Sequence, residues 1–235
     1  MMGGLLQARF NAAKEAVKLV KDGMVLGVGS GSTVELFLKE LAKTVREQEL
    51  DIEVVPASLA TEIAAIRLGV KVRPLSEVDE LDVAVDGADE VDPDLNLLKG
   101  GGGALTREKV VDYCSREYVV IVDSSKLSSK LGEKAPLVVE VLPPAWRYVV
   151  RALRERFGIV AELRMAKLKN GPVITDNGNL LLDCNIRSYE GDPEELERGV
   201  NAIPGVMDNG LFSLKRPSKV FVGHEEGVNV LRLKQ

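Results

Sequence analysis

MVLGVGSGSTVELFLKELAKTV, residues 24–45, is the stretch that decides the architecture. Met24 to Val28 is a short apolar strand. It ends in Gly29-Ser30-Gly31-Ser32-Thr33, and a helix follows through about Val45 with Val34, Phe37, Leu41 and Val45 on one face. Strand, glycine-rich turn and helix in this order aim backbone N–H groups and the positive end of a helix dipole at one point, which suits an anion. The spacing matches neither common nucleotide motif. There is no lysine for a P-loop, and glycines at 27, 29 and 31 do not form GxGxxG. Ser32 and Glu35 also satisfy the S-x-x-E capping box, so two readings stay open. One is a capped helix after a tight turn; the other is a phosphate cradle of Ser30, Ser32, Thr33 and nearby amides. Hydroxyl donors without a lysine suit a single phosphate monoester better than a magnesium-bound triphosphate.

Working outward, residues 5–21 predict an amphipathic helix with Leu6, Phe10, Ala13, Val17 and Val20 on its apolar face, stopped by Asp22-Gly23. Downstream, strands are expected at 52–55, 70–72, 81–85 and 118–122, with helices at 58–68 and 106–114. This alternation argues for an α/β fold with a doubly wound, mostly parallel, Rossmann-like sheet. Ligands of such sheets bind beyond the carboxyl ends of the strands. After Leu131 the pattern changes. Strand 137–142, helix 144–156, strands 160–164 and 180–183, a helix and strand 206–208 form a β-α-β-β-α-β, ferredoxin-like α+β unit. Its second helix starts with Asp192 as N-cap, Pro193 at N1 and Glu195 at N3. Asp176-Asn177-Gly178-Asn179 marks a turn. Strand 219–222 is expected to return to the first sheet. The domains are therefore 1–130 plus 209–235, the α/β domain with substrate binding and catalysis, and an inserted 131–208.

The chemistry concentrates in residues 82–109, DVAVDGADEVDPDLNLLKGGGGALTREK. An apolar run feeds Asp86-Gly87-Ala88-Asp89, then come Lys99, four glycines at 100–103, and a helix start that puts Glu108 in its first turn. Four consecutive glycines cost too much conformational entropy to be there for packing alone. Carboxylates beside an ammonium can exchange protons with sugar hydroxyls, although acidic residues at a strand end also cap turns, as Asp92-Pro93-Asp94 does. Glu108 has two readings as well, a carboxylate complementing a helix dipole or a base for C–H proton abstraction next to a carbonyl. In the second, Lys99 would hold the developing enediolate charge; otherwise it is a solvated surface lysine. Lys109 is expected in solvent. Asp123-Ser124-Ser125-Lys126 is another polar cluster after a strand, from which Lys126 could reach the same crevice.

Composition narrows the class. With 235 residues, 45% of them hydrophobic, the chain has ample core, and a net charge of −5 does not favour nucleic acid. Cys114 and Cys184 lack CxxC spacing and read as reduced core thiols. The single histidine, His224, is expected in a loop, and no metal-ligand or cofactor pattern is present. The opening MMGGLLQARF carries no long apolar run, and no Ser or Thr stands where a myristoylation motif after Gly3 would need one, so a cytoplasmic protein without a membrane segment is expected.

GVGSGSTV at 27–34, DGADEVD at 86–92, KGGGGALTREK at 99–109 and DSSK at 123–126, in this order, resemble type A ribose-5-phosphate isomerase. The resemblance runs from about Leu5 to about residue 212, with GPVITDNGN and NAIPGVMDNGLF adding to it. It implies interconversion of D-ribose 5-phosphate and D-ribulose 5-phosphate without metal or cofactor, in the pentose phosphate pathway. It also implies that Ser30, Gly31, Ser32 and Thr33 form a substrate loop. Asp86, Gly87, Ala88 and Asp89 would contact the sugar, and Lys99, Gly100, Gly101 and Gly102 would make a third contact. Glu108 would be the proton acceptor, Asp86 and Lys99 its catalytic partners, Lys126 a substrate contact, and the assembly a homodimer or homotetramer. Two departures stand out: Ser30 replaces the usual threonine of GTGST and keeps a hydroxyl donor, and Arg9 stands where a first-helix lysine often helps hold phosphate. The tail from Leu214 follows the family only loosely. The rival reading is a non-catalytic sugar-phosphate sensor on a similar fold. A nucleotide-dependent oxidoreductase is disfavoured by the missing GxGxxG.

Overall fold

In the computed structural model, which describes residues 3–233, the elements run α1 (Gly3–Val17), β1 (Val25–Val28), α2 (Ser32–Gln48), β2 (Glu53–Pro56), α3 (Leu59–Leu68) and β3 (Leu81–Asp86). Next come β4 (Glu90–Val91), β5 (Leu97–Leu98), α4 (Leu105–Cys114), β6 (Ser115–Asp123), β7 (Leu137–Val141), α5 (Trp146–Phe157) and β8 (Val160–Leu163). The last are β9 (Leu180–Asn185), α6 (Pro193–Asn201), β10 (Val206–Asn209), β11 (Leu211–Phe212), β12 (Lys219–His224) and β13 (Gly227–Leu231). Residues 1, 2, 234 and 235, which the sequence reading counts with the first domain, lie outside the described residues. The chain divides into two units, one of 3–88, 107–127 and 217–233 and one of 89–106 and 128–216. Residues 89–106, 128–130 and 209–216 thus group with the second unit, where the sequence reading had put them with the first.

The first unit is built on a six-stranded sheet in the order β13-β12-β6-β3-β1-β2. All pairs are parallel except the edge pair β12–β13. Parallel strands covered on both faces read as continuous apolar runs, and β3 and β6 do so. Val83, Ala84, Val85, Val119, Val120, Ile121 and Val122 are all buried. The core on one side joins Phe37, Leu38 and Leu41 of α2 to Leu26, Val28, Val85 and Ile121. From β1 the chain passes to β2 on one side and then returns to β3 on the other. The strand order therefore reverses between β1 and β3, where ligands of such sheets bind.

The second unit carries a four-stranded sheet, β10-β7-β9-β8, antiparallel throughout. Counted within the unit this is order 4-1-3-2, with α5 and α6 as the two crossovers, the ferredoxin-like arrangement expected from the sequence. Asp192 caps α6 by accepting the N–H groups of Glu194 and Glu195 at 2.8 and 3.0 Å. A second small sheet, β11-β5-β4, holds the segment around Lys99.

Several local expectations need correction. The first helix stops at Val17, and its buried face is Ala8, Ala12, Ala13, Ala16 and Val17, while Leu6 is exposed. The reason is close approach to β12: a Cβ at Gly223 would land on the Ala8 carbonyl, so only small residues fit. Residues 70–72 make a single bridge, Val54 to Val72, instead of a strand. The capping box does not form. Gly31 is the N-cap of α2, at φ 108°, and no side chain caps the helix. His224 closes β12 and is not in a loop, and Lys109 is buried because α4 also buries Leu105, Glu108, Val111 and Asp112.

Candidate active site

The loops after β1 and β3 meet at the point of strand reversal. Asp86, the last residue of β3, is fully buried, and its Oδ1 accepts the N–H groups of Ser30 at 3.2 Å and Gly87 at 2.6 Å. Position 29 must be glycine here, since a Cβ would overlap the Asp86 carboxylate. One oxygen of Asp86 is thereby oriented by backbone N–H groups, a rigid placement for a carboxylate at the strand end.

Around the α2 N-terminus the polar groups fall into two sets. Arg9 of α1 donates from Nε to Asp123 at 2.9 Å and from Nη1 to the Ser32 hydroxyl at 3.2 Å. Asp123, at the end of β6, also accepts the N–H of Ser125 at 3.0 Å and its hydroxyl, starting the short turn that carries half-buried Lys126. Burial pushes the Asp123 carboxyl up, but Ser125 and Arg9 outweigh it and hold the group below the usual aspartate range. On the other side a row of hydroxyls links the loop to α3. Ser30 Oγ lies 3.0 Å from Ser58 Oγ, which lies 3.0 Å from Thr61 Oγ1, which donates to the Gly29 carbonyl at 2.7 Å. Ser32 and Gly31 are exposed, and Thr33 is half-buried.

α4 feeds the parallel strand β6, so its N-terminus starts at the carboxyl edge of the sheet, the same edge as the Gly29 and Asp86 loops. Glu108 sits in its first turn, and its side chain is buried at 5% exposure. A helix dipole alone would be served by an exposed carboxylate. A buried carboxylate at this edge of the sheet is a candidate for a chemical role.

Within the second unit, Asp89 and the glycine segment are joined. The N–H of Gly101 donates to Asp89 Oδ2 at 2.8 Å, and that of Asp89 to the Leu98 carbonyl at 2.8 Å. Gly100 and Gly103 take φ values of 106° and 81°, a conformation that favours glycine. Their turn is pinned by Arg164, which donates to the carbonyls of Gly100 and Gly101 at 3.1 Å each while its other edge binds Asp183. Lys99 is not the solvated lysine of the alternative reading. It is buried at 3% exposure, its N–H bonds the Gly210 carbonyl at 2.9 Å, and its Nζ stands 5.4 Å from the Phe212 ring centre. The electrostatic attraction of an aromatic face offsets part of the solvation a buried cation loses.

Ser58, Thr61, Asp123 and Arg164 were not singled out in the sequence. Asp123 lies in the DSSK motif and could have been, and Ser58 could have been read as the N-cap of α3, which accepts the Thr61 N–H at 3.1 Å; the bonds of Ser58 and Thr61 to the Gly29 loop, and those of Arg164, cross elements and leave no local signal. Among the described residues no group of three or more His, Cys, Asp or Glu is disposed to hold a metal, and no helix is long and apolar enough to cross a membrane.

The family model described as ribose 5-phosphate isomerase A (phosphoriboisomerase A) matches residues 53–227, past the point where the sequence motifs end. The chain is 49% identical to ribose-5-phosphate isomerase A of Methanocaldococcus jannaschii over 225 residues, 95% of this chain and 97% of that one. With the enzyme of the same name from Archaeoglobus fulgidus it shares 50% over 224 residues, 95% and 98% of the two chains. The solved structure from M. jannaschii superposes with a TM-score of 0.92, covering 96% of this chain and 98% of that one. A D-ribose-5-phosphate isomerase in complex with phospho-erythronic acid, 44% identical, also gives 0.92, with 96% and 97% covered. This chain is a member of the ribose 5-phosphate isomerase A family.

Proposed function

We propose that the protein interconverts D-ribose 5-phosphate and D-ribulose 5-phosphate through a cis-enediolate, without a metal, as a step of the pentose phosphate pathway. Family membership supports the activity, and the buried Glu108 at the carboxyl edge of the sheet is the observation that carries the mechanism. The open-chain aldose has its aldehyde at C1 and a hydroxyl at C2. Glu108 takes the C2 proton, the electron pair forms the C1–C2 double bond, and O1 gains the negative charge. Asp86 moves a proton from O2 to O1, and Glu108 returns its proton to C1 as O2 becomes the ketone. Lys99 supplies positive charge to the enediolate, and being buried it does so undiluted by water.

Ser30 to Thr33, with the α2 N-terminus and Arg9, form the phosphate and sugar cradle. Asp86 to Asp89, Lys99 to Gly102 and Lys126 complete the substrate contacts. The sensor alternative draws no support from the relatives, which carry the isomerase name over nearly their whole length. The working form is a homodimer or homotetramer in the cytoplasm. The test is direct: chelator-treated protein should convert ribose 5-phosphate to ribulose 5-phosphate, and ribose itself should be a very poor substrate. Activity lost to the chelator and restored by a divalent cation would overturn the metal-free scheme, and no conversion at all would overturn the function.

A further inference from the structure

We infer that the two serines of the loop after β1 meet a ligand with opposite polarity: Ser30 is held as an acceptor for a sugar hydroxyl, and Ser32 as a donor to phosphate. This rests on the sugar-phosphate reading above and corrects the expectation that Ser30 serves as a donor. A hydroxyl has one proton and two lone pairs. Thr61 Oγ1 is 2.7 Å from the Gly29 carbonyl, which can only accept, so the Thr61 proton is committed there. The 3.0 Å contact between Ser58 and Thr61 then needs the Ser58 proton. Ser58 Oγ already accepts the Thr61 N–H at 3.1 Å, so its contact with Ser30, also 3.0 Å, is left to carry the Ser30 proton.

The order Ser30 to Ser58 to Thr61 to the Gly29 carbonyl is the one assignment in which every contact holds a proton. Reversing the first link would leave Ser58 and Thr61 facing each other lone pair to lone pair. Both are buried, at 5% and 7% exposure, so water could not readily relieve the repulsion. Ser30 therefore offers a ligand lone pairs only. A dianionic phosphate has no proton to give them, whereas a sugar hydroxyl does.

Ser32 is set the other way. Arg9 has donors and no acceptor, so its N–H at 3.2 Å occupies a lone pair of Ser32 and leaves the Ser32 proton for a ligand. Asp123 fixes the guanidinium in that pose through Nε at 2.9 Å. Thr61 and Ser58 are thus positioning residues for Ser30, as Asp123 is for Ser32. The loop can then tell a phosphorylated sugar from free phosphate by one hydroxyl.

The test uses the full chain and two probes, inorganic phosphate by calorimetry at about pH 8, where it is mostly dianionic, and ribose 5-phosphate by KM. Ser30→Ala should raise KM by about two- to tenfold, the worth of one neutral hydrogen bond, and leave phosphate affinity within about twofold. Ser32→Ala should weaken both by about tenfold or more, as expected for a bond to a charged group. Ser30→Thr, which keeps the hydroxyl, should restore KM. A Ser30→Ala protein that loses phosphate affinity as Ser32→Ala does, or one with both constants unchanged, overturns the inference. Wild-type protein that binds phosphate but does not turn over ribose 5-phosphate overturns the functional reading instead.

Discussion

Replacing Asp123 by asparagine should separate the anchor of the cradle from the cradle itself. The carboxylate is almost wholly buried and accepts from Arg9 Nε at 2.9 Å and from the Ser125 N–H at 3.0 Å. Asparagine keeps the shape but loses the charge, and its amide can turn only one acceptor toward two sets of donors. Losing one hydrogen bond to a charged group costs about 1.5–3 kcal/mol. Because the folded-state carboxyl titrates below its ordinary value, its contribution is fully present above the unfolded pKa of about 3.9 and disappears as pH falls through the lower, folded value. Urea unfolding of wild type and D123N from neutral to strongly acid pH should show that gap at pH 7 and see it close only on the acid side. KM for ribose 5-phosphate should rise more than kcat falls, since Arg9 loses its tether beside Ser32. A gap under about 0.5 kcal/mol at pH 7, the scale of an ordinary surface change, would refute the reasoning, and so would a gap that is the same in strong acid.

Gly29→Ala should cost about 1–3 kcal/mol in stability through overpacking, and kcat should fall with it, because the new Cβ overlaps the Asp86 carboxylate. Gly102→Ala is the control for stability, with nothing within 4 Å of the added carbon, and should unfold at the same urea concentration as wild type. Glu140 is fully buried and accepts from Thr106, Thr175, Asn177 and Asn179 at 2.6–3.0 Å. Glu140→Gln should therefore lower stability by about 2 kcal/mol or more, read by urea unfolding. Burial pushes the Cys184 thiol well above its ordinary range, so iodoacetamide should label half-buried Cys114 first and Cys184 only on unfolding; mass spectrometry of the native protein decides it.

What could be read from the sequence was whatever a single segment encodes. The apolar runs of β1, β3 and β6 with their polar ends gave the parallel sheet, and Asp192-Pro193 gave the start of α6. The strands β4, β5 and β11 are two residues long and carry no periodicity, so they were missed, as was the edge strand β13. The face of α1 was misread because large residues were taken for the core. Close packing on Gly223 demands alanine there, a demand that sits on another element. The site divides in the same way. Asp86, Lys99 and Glu108 lie in one stretch, so the sequence alone brings them forward as candidates. Arg164 reaches the glycine turn from 63 and 64 positions away, with both of its carbonyl bonds at 3.1 Å, and only the fold joins them. The polarity of Ser30 depends on Ser58 and Thr61 in the same nonlocal way.

The central claim is that Glu108 is the base, and Glu108→Gln tests it most directly. The change keeps the shape of a side chain that is 5% exposed and removes its ability to take a proton. Measured on ribose 5-phosphate, kcat should fall by about 10²–10⁴, while a phosphorylated four-carbon aldonate, which needs no proton transfer to bind, should bind nearly as tightly as before. A Glu108→Gln protein that turns over within about tenfold of wild type, short of the general-base range, would contradict the account and place the base elsewhere.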